Sequence, residues 1–430
     1  MKKTKLSLAL ATTLILSTLS YADDASDIQE LKQQIKDLEE MTQALVDETS
    51  DLKTGFNYTT VDREKSHSGL GPAASKVYYS KSPLSIGGYG EMYYSNTQNE
   101  DKSYNSETQV KRFITYFGYK FSDNIILNTE IEYEGGGVTV GGEGDEVKVE
   151  FIYLDFLINE NFNIRLGNFL IPLGLTNQQH EPTLFTTVQR PSTSYYLIPS
   201  TWNESGVMVY GDIINGLEYK VAATTALQTT VDTADGKKPK WIRSGRGGTF
   251  EITNPTTAFI GRVDYTEVNG LSLGASLYYA PGSRVQRSSE KADIFMYDLH
   301  MDYKINAFRL YGIYTQTNRS NSSKIASDVI SSAVEKAEGA YLNASFDILS
   351  FTSLEYKLPL FVQYESVNAR AKVSSGVSSD AVHITTIGVN FFPHNQVVLK
   401  VDYAMADSSF KKYADIESSD TLSFSLGFIF

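Results

Sequence analysis

The chain has 430 residues, no cysteine and a formal charge of −13. Without a thiol there is no disulfide framework, no thiolate metal site and no thiol nucleophile, and the acidic balance argues against nucleic acid or an anionic lipid surface as a partner. Mean hydropathy is −0.25, and nothing beyond the N-terminus is continuously apolar over the ~20 residues of a spanning helix; strands, in which only alternate residues face lipid, could still cross a bilayer.

Lys2, Lys3 and Lys5 precede an apolar run from Leu6 to Leu19, and Ser20-Tyr21-Ala22 supplies the small residues that a signal peptidase needs. Residues 1–22 therefore read as a signal peptide, and its removal takes the formal charge from −13 to −16. From Ile28 the apolar residues Leu31, Ile35, Leu38, Leu45 and Leu52 follow at spacings that make a heptad repeat, with Thr42 and Thr49 at a positions. This predicts a coiled-coil helix over 23–54, its number of chains left open by the polar threonines; a single amphipathic helix packed on a body is the alternative. Residues 55–82 follow as a linker, expected to be flexible because Gly55–Ser75 is rich in Gly, Ser and charge and has no period.

From Pro83 the period becomes two. Phe113, Phe117, Tyr119 and Phe121 share one face while Arg112, Tyr116 and Lys120 take the other, and Ile125, Leu127, Ile131 and Tyr133 lie opposite Asn128, Glu130, Glu132 and Glu134. Comparable segments centre on Tyr89, Val149, Arg165, Val207, Tyr219, Val263, Leu273, Leu299, Leu310, Leu342, Val362, Val389, Leu399 and Phe424. These predict an all-β fold over 83–430: an antiparallel transmembrane β-barrel of about 16 strands. The connections alternate. Short ones such as Ser122–Asn124, Asn159-Glu160, Asn269-Gly270 and Asn306-Ala307 have hairpin chemistry, and long polar ones such as Ile171–Asn203 and Gln228–Pro255 lie between them. Only Ser350–Leu358 breaks the pattern. Tight periplasmic turns facing long external loops are the mark of an outer-membrane barrel.

Motifs for chemistry are weak. The run Glu134–Glu146 is Gly-rich but acidic and lacks the Lys and helix of a phosphate loop. Asp298, His300 and Asp302 share a strand face, yet same-face neighbours stand about 7 Å apart, so a polar wall is expected rather than a metal site. None of the five histidines sits in a nucleophile or zinc-protease motif. No catalytic residue, metal or cofactor is expected. Inward parity instead brings Arg112, Arg165, Lys220, Arg262, Arg309 and Lys400 to the lumen together with Glu130, Glu132, Glu218, Asp264, Glu365 and Asp402, a lining of both signs that would tune ion selectivity.

The stretch 171–206, with Pro172 and Gly174, His180-Glu181-Pro182, Phe185, Arg190, Pro199, Thr201-Trp202 and Glu204-Ser205-Gly206, resembles a segment of the outer-membrane porin family that contains the phosphate- and polyphosphate-selective porins. The opening strand SIGGYGEMYY and the coiled coil ahead of it resemble the same family. Thr183 and Gln189 stand where members commonly carry proline and an acidic residue. The resemblance implies a homotrimer of sixteen-stranded barrels in the outer membrane of a Gram-negative bacterium, bounded by lipid, with the coiled coil in the periplasm. It implies passive diffusion of small solutes or inorganic ions, with an anion or phosphate preference. Loop 171–203 would fold inward as the constriction, shaped by Pro172, His180, Glu181, Pro182, Phe185 and Trp202 and charged by Arg190; Arg112, Arg165, Arg262 and Arg309 would attract anions. An exported soluble β-rich binding protein and an outer-membrane enzyme are the alternatives.

Overall fold

The computed structural model describes residues 32–42, 61–135, 147–229, 241–286, 288–329, 332–375, 378–407 and 418–430. The chain divides into two compact units, one ending at Thr59 and one beginning at Thr60. In the first, residues 32–42 are helical and expose Ile35 and Leu38; the rest of the expected coiled coil, and the signal peptide, lie outside the described residues.

The second unit is a closed antiparallel barrel whose sixteen strands all fall within the described residues. They are β1 (Leu84–Asn99), β2 (Tyr104–Ser122), β3 (Ile125–Glu134), β4 (Val147–Asn159), β5 (Phe162–Leu170), β6 (Asn203–Ile214), β7 (Leu217–Thr225) and β8 (Thr257–Tyr265) in the first half. The second half holds β9 (Leu271–Arg284), β10 (Lys291–Ile305), β11 (Phe308–Arg319), β12 (Val334–Asp347), β13 (Pro359–Val373), β14 (Val382–His394), β15 (Val397–Asp407) and β16 (Ser419–Ile429). Each strand pairs with its sequence neighbour, and β1 closes the ring on β16 with Tyr89 opposite Ile429. Alternation dictates which face turns where. Phe113, Phe117, Val207, Leu277, Leu299, Leu399 and Phe424 lie exposed on the outside, whereas Arg112, Glu130, Arg165, Lys220 and Lys400 are buried inside.

The tight turns use the residues their backbone needs: Gly216 and Gly270 take φ of 73° and 77°, and Asn306 takes 52°, values that a β-branched side chain would resist. The exceptional connection near Ser350 is a 3-10 turn, Ile348–Phe351, organised by Asp347, whose carboxylate accepts from the amides of Leu349 and Leu358 at 3.1 and 2.8 Å. It occupies a short-turn end of the barrel without needing hairpin residues.

One expectation is overturned. The stretch read as linker, 55–82, is not free chain from residue 61 onward: Val61, Leu70, Ala73, Ala74 and Val77 are buried, and Pro72–Tyr79 is a helix packed on β1, β2 and β3. Pro72 suits the first helical position because its missing N–H would have had no partner there. The segment has no apolar period because it packs inside a polar lumen, where a helix need not carry one apolar stripe.

Candidate functional site

The connection from β5 to β6, residues 171–202, folds inward and is buried along most of its length. Its two ends are tied by one side chain. Asn177 donates to the carbonyls of Ile171 and Trp202 at 2.8 and 3.0 Å and accepts from the Trp202 amide at 2.7 Å. Gly174 has φ of 69°, which only glycine adopts cheaply. Trp202 is fully buried, its ring 5.3 Å from that of Tyr278 and its indole N–H on Glu204.

A loop with little regular structure carries backbone donors and acceptors that burial would leave unsatisfied. Here the charged wall satisfies them. Arg262 and Arg309 donate to the carbonyls of Gly174 and Leu184 at 2.6 and 2.7 Å, and Lys400 donates to those of Phe185 and Thr187 at 2.8 and 3.0 Å. Carboxylates take the amides: Asp298 that of Gly174, Asp402 that of Val188, and Glu365 those of Ser192 and Thr193. Charge-assisted hydrogen bonds of this kind are roughly twice as strong as neutral ones.

The inward arginines are therefore not equivalent. Arg165 is fully buried, bidentate on Asp155 at 2.9 and 2.7 Å and stacked 4.1 Å over Tyr153, so it meets no passing solute. Arg112 lies between Glu91 at 3.6 Å and Glu132 at 3.5 Å. Arg262 is bidentate on Asp264, which also receives Lys220 at 3.5 Å and His300 at 2.9 Å; Asp298 sits 2.7 Å from the other nitrogen of that ring. Arg309 is bidentate on Asp302 at 2.9 Å. Arg112, Arg165, Arg262 and Arg309, expected to attract anions, are each paired with a carboxylate, because sequence parity fixes a side chain's face but not its partner.

Arg190 differs. It is partly buried and donates to the His180 carbonyl at 2.9 Å and to Ser200 Oγ at 3.0 Å, and among the described residues it pairs with no carboxylate. It lines a cavity of about 180 Å³ on the long-loop side together with Gln189, Ser192, Gln363, Glu365 and Asp402. On the short-turn side a cavity of about 750 Å³ is lined by Arg63, Glu64, Asp302, Arg309 and Thr183 to Thr186. Loop residues 183–186 thus line the larger cavity and Thr187 and 189–192 the smaller one.

The helix Pro72–Tyr79 joins this loop through Glu181, whose carboxylate accepts from the amides of Ala73 at 2.9 Å and Ala74 at 3.1 Å. An acidic group there satisfies helix-end donors and complements the helix dipole. A Cβ on Gly71 would lie 2.3 Å from the Glu181 oxygen, so the approach needs glycine. Burial pushes the Glu181 carboxyl up to about 7, against the pull of the two amides. Burial, reinforced by Arg190, pushes the His180 imidazole down to about 4. Sequence reasoning missed this contact; Gly71-Pro72 ahead of Ala-Ala-Ser-Lys was the available helix-start signal. Among the described residues, donors for a metal converge at Glu130, Glu150 and His180, within 4.8 Å of one another.

No family model matches the chain. The fold is that of solved outer-membrane porins and channels. These include the anion-selective porin of Comamonas acidovorans (13% identity, 81% of this chain and 99% of that one, TM-score 0.53) and OmpF of Salmonella typhi in complex with daunomycin (12%, 81% and 97%, 0.54). The outer membrane channel DcaP of Acinetobacter baumannii is similar to the same degree (11%, 81% and 97%, 0.52). At these identities the likeness is one of fold. In sequence the chain is 34% identical over 365 residues, 82% of each chain, to an uncharacterized protein of Aquifex aeolicus (strain VF5), and it belongs to the same family as that protein.

Proposed function

We propose that the chain is an outer-membrane porin, a water-filled channel through which small hydrophilic solutes and ions diffuse passively. The observation that carries this reading is a closed barrel with an apolar outside, a charged inside and a loop folded into the lumen between two cavities. Soluble monomers rarely expose contiguous apolar patches beyond a few hundred Å², whereas outward Phe, Leu and Val spread around a barrel suit lipid. No reaction is required.

The same reading includes a weak anion preference centred on Arg190. Glu365 and Asp402, which share its cavity, accept from loop amides, while Arg190 is bonded to neutral oxygens and pairs with no carboxylate among the described residues, so its positive charge is left for a passing anion. Phosphate is one candidate of that class, in keeping with the sequence resemblance. A homotrimer with the heptad segment in the periplasm completes the proposal and rests on that resemblance and on the spacing of Ile28 to Leu52.

Reconstitution in a planar bilayer under a salt gradient tests it. A reversal potential of anion-selective sign is expected, moving towards zero in Arg190→Ala. A cation-selective sign that the substitution leaves unchanged would refute the anion preference, and folded protein that conducts nothing would refute the channel.

A further inference from the structure

The β3–β4 ladder slips by one residue beside the loop. Glu130 pairs with Phe151 but Ile131 pairs with Val149, which leaves Glu150 unmatched in a β-bulge. Glu150 and Phe151 are consecutive yet both buried, between the exposed Val149 and Ile152. Bulges re-aim side chains and are common beside functional sites; this one turns Glu150 inward next to Glu130.

His180 reaches the same point from the loop. Its Nδ1 lies 2.8 Å from the Asn177 carbonyl, which can only accept, so Nδ1 carries the hydrogen and the Nε2 lone pair of the neutral ring faces outward. That nitrogen meets Glu130 Oε1 at 3.3 Å. A carboxylate offers lone pairs as well, so the contact needs a proton or a metal ion between them. The second oxygens, Glu130 Oε2 and Glu150 Oε2, are buried and have no protein partner, as does the hydroxyl of Tyr116, the residue opposite Glu130 on β2. Unpartnered buried carboxylate oxygens are strongly unfavourable.

The neighbouring cations are engaged elsewhere. Lys148 sits on Glu132 at 3.0 Å and only 3.7 Å from the far oxygen of Glu150, Arg112 lies between Glu91 and Glu132, and Arg190 serves the His180 carbonyl. Glu181, next in sequence, is held by the helix amides.

We infer that Glu130, Glu150 and His180 form a binding site for a divalent first-row transition-metal ion, with zinc the best match. Two carboxylates and one imidazole balance a double charge, and a nitrogen donor selects zinc-like ions over calcium or magnesium, which favour all-oxygen shells. The backbone carbonyl on Nδ1 supplies the orienting contact usual for a metal-bound imidazole. Such an ion ties the inward loop to β3 and β4, on a different part of the wall from Lys400 and Asp402.

The test uses the full chain, folded in detergent, stripped with chelator and titrated with zinc chloride by calorimetry. One zinc per chain is expected, with affinity at least about tenfold weaker in the Glu130→Gln/Glu150→Gln variant. Absence of uptake by the unmodified protein, or affinity unchanged in a variant that keeps heat-modifiable mobility, overturns the site and leaves an adventitious ion only. Should the variant not fold, zinc K-edge absorption on the unmodified protein decides. One imidazole nitrogen with oxygen neighbours at ~2.0–2.2 Å supports the site, and a fully hydrated or multi-imidazole shell overturns it.

Discussion

Replacing Lys400 by methionine isolates what holds the inward loop against β15. The ammonium is buried, donates to two successive loop carbonyls, of Phe185 and Thr187, and lies 3.8 Å from the centre of the Phe185 ring. Hydrogen bonds to a charged group contribute about 1.5–3 kcal/mol each, and the cation–π contact adds about 0.5–2 kcal/mol. Removing a buried charge returns desolvation energy of several kcal/mol, but methionine cannot satisfy the two carbonyls, each costing about 1–3 kcal/mol when left bare. The net is a segment 185–188 that leaves the wall more easily by about 2 kcal/mol, roughly a thirtyfold larger open population. The barrel ladder does not depend on this side chain, so heat-modifiable mobility should be unchanged. In single-channel recordings Lys400→Met should raise conductance or multiply open–closed transitions, since the loop lies between the two cavities. Conductance and gating identical to the unmodified protein would refute the view that lumen charges act by fastening the loop.

Three further outcomes follow from the lumen helix and its neighbours. Burial pushes His67 down from 6.5 to about 4 against the pull of Asp155, with its ring 3.6 Å from that of Tyr78. The unfolded ring therefore binds a proton first, so stability is complete above pH 6.5 and is lost as pH falls towards 4; hydrogen exchange of residues 61–82, corrected for intrinsic rate, should rise across that window and do so less in His67→Phe. Glu181→Ala removes the acceptor for the amides of Ala73 and Ala74, a loss of about 1–2 kcal/mol that should speed exchange in the helix about five- to thirtyfold, whereas unchanged protection would deny it the capping role. In Gly118→Ala the new Cβ would stand 2.4 Å from Val77. The helix should loosen by about 1–3 kcal/mol while the strand, which tolerates alanine, stays paired; exchange confined to β2 instead would contradict this.

Much of the architecture is legible in the residues. A period of two over Phe113 to Phe121 or Leu422 to Phe428 specifies both strand and orientation, because a slip of one residue would exchange the apolar and charged faces. Short turns carrying Gly216, Gly270 and Asn306 mark one end of the barrel, and three prolines between Pro172 and Pro191 exclude a strand there. The site was less legible. Arg165 and Arg190 look alike in sequence, yet one is sealed on Asp155 and the other, bonded to neutral oxygens, lines a cavity.

Local pattern by itself determined the strands, their faces and the order of short and long connections, since each depends on a few adjacent residues and on the pleat. Tertiary structure alone decided which charges pair, that residues 61–82 enter the lumen, and that the bulge at Glu150 meets His180 from a loop thirty residues away. Those outcomes depend on distances across a closed barrel, and polar residues carry no period that says which partner they will find.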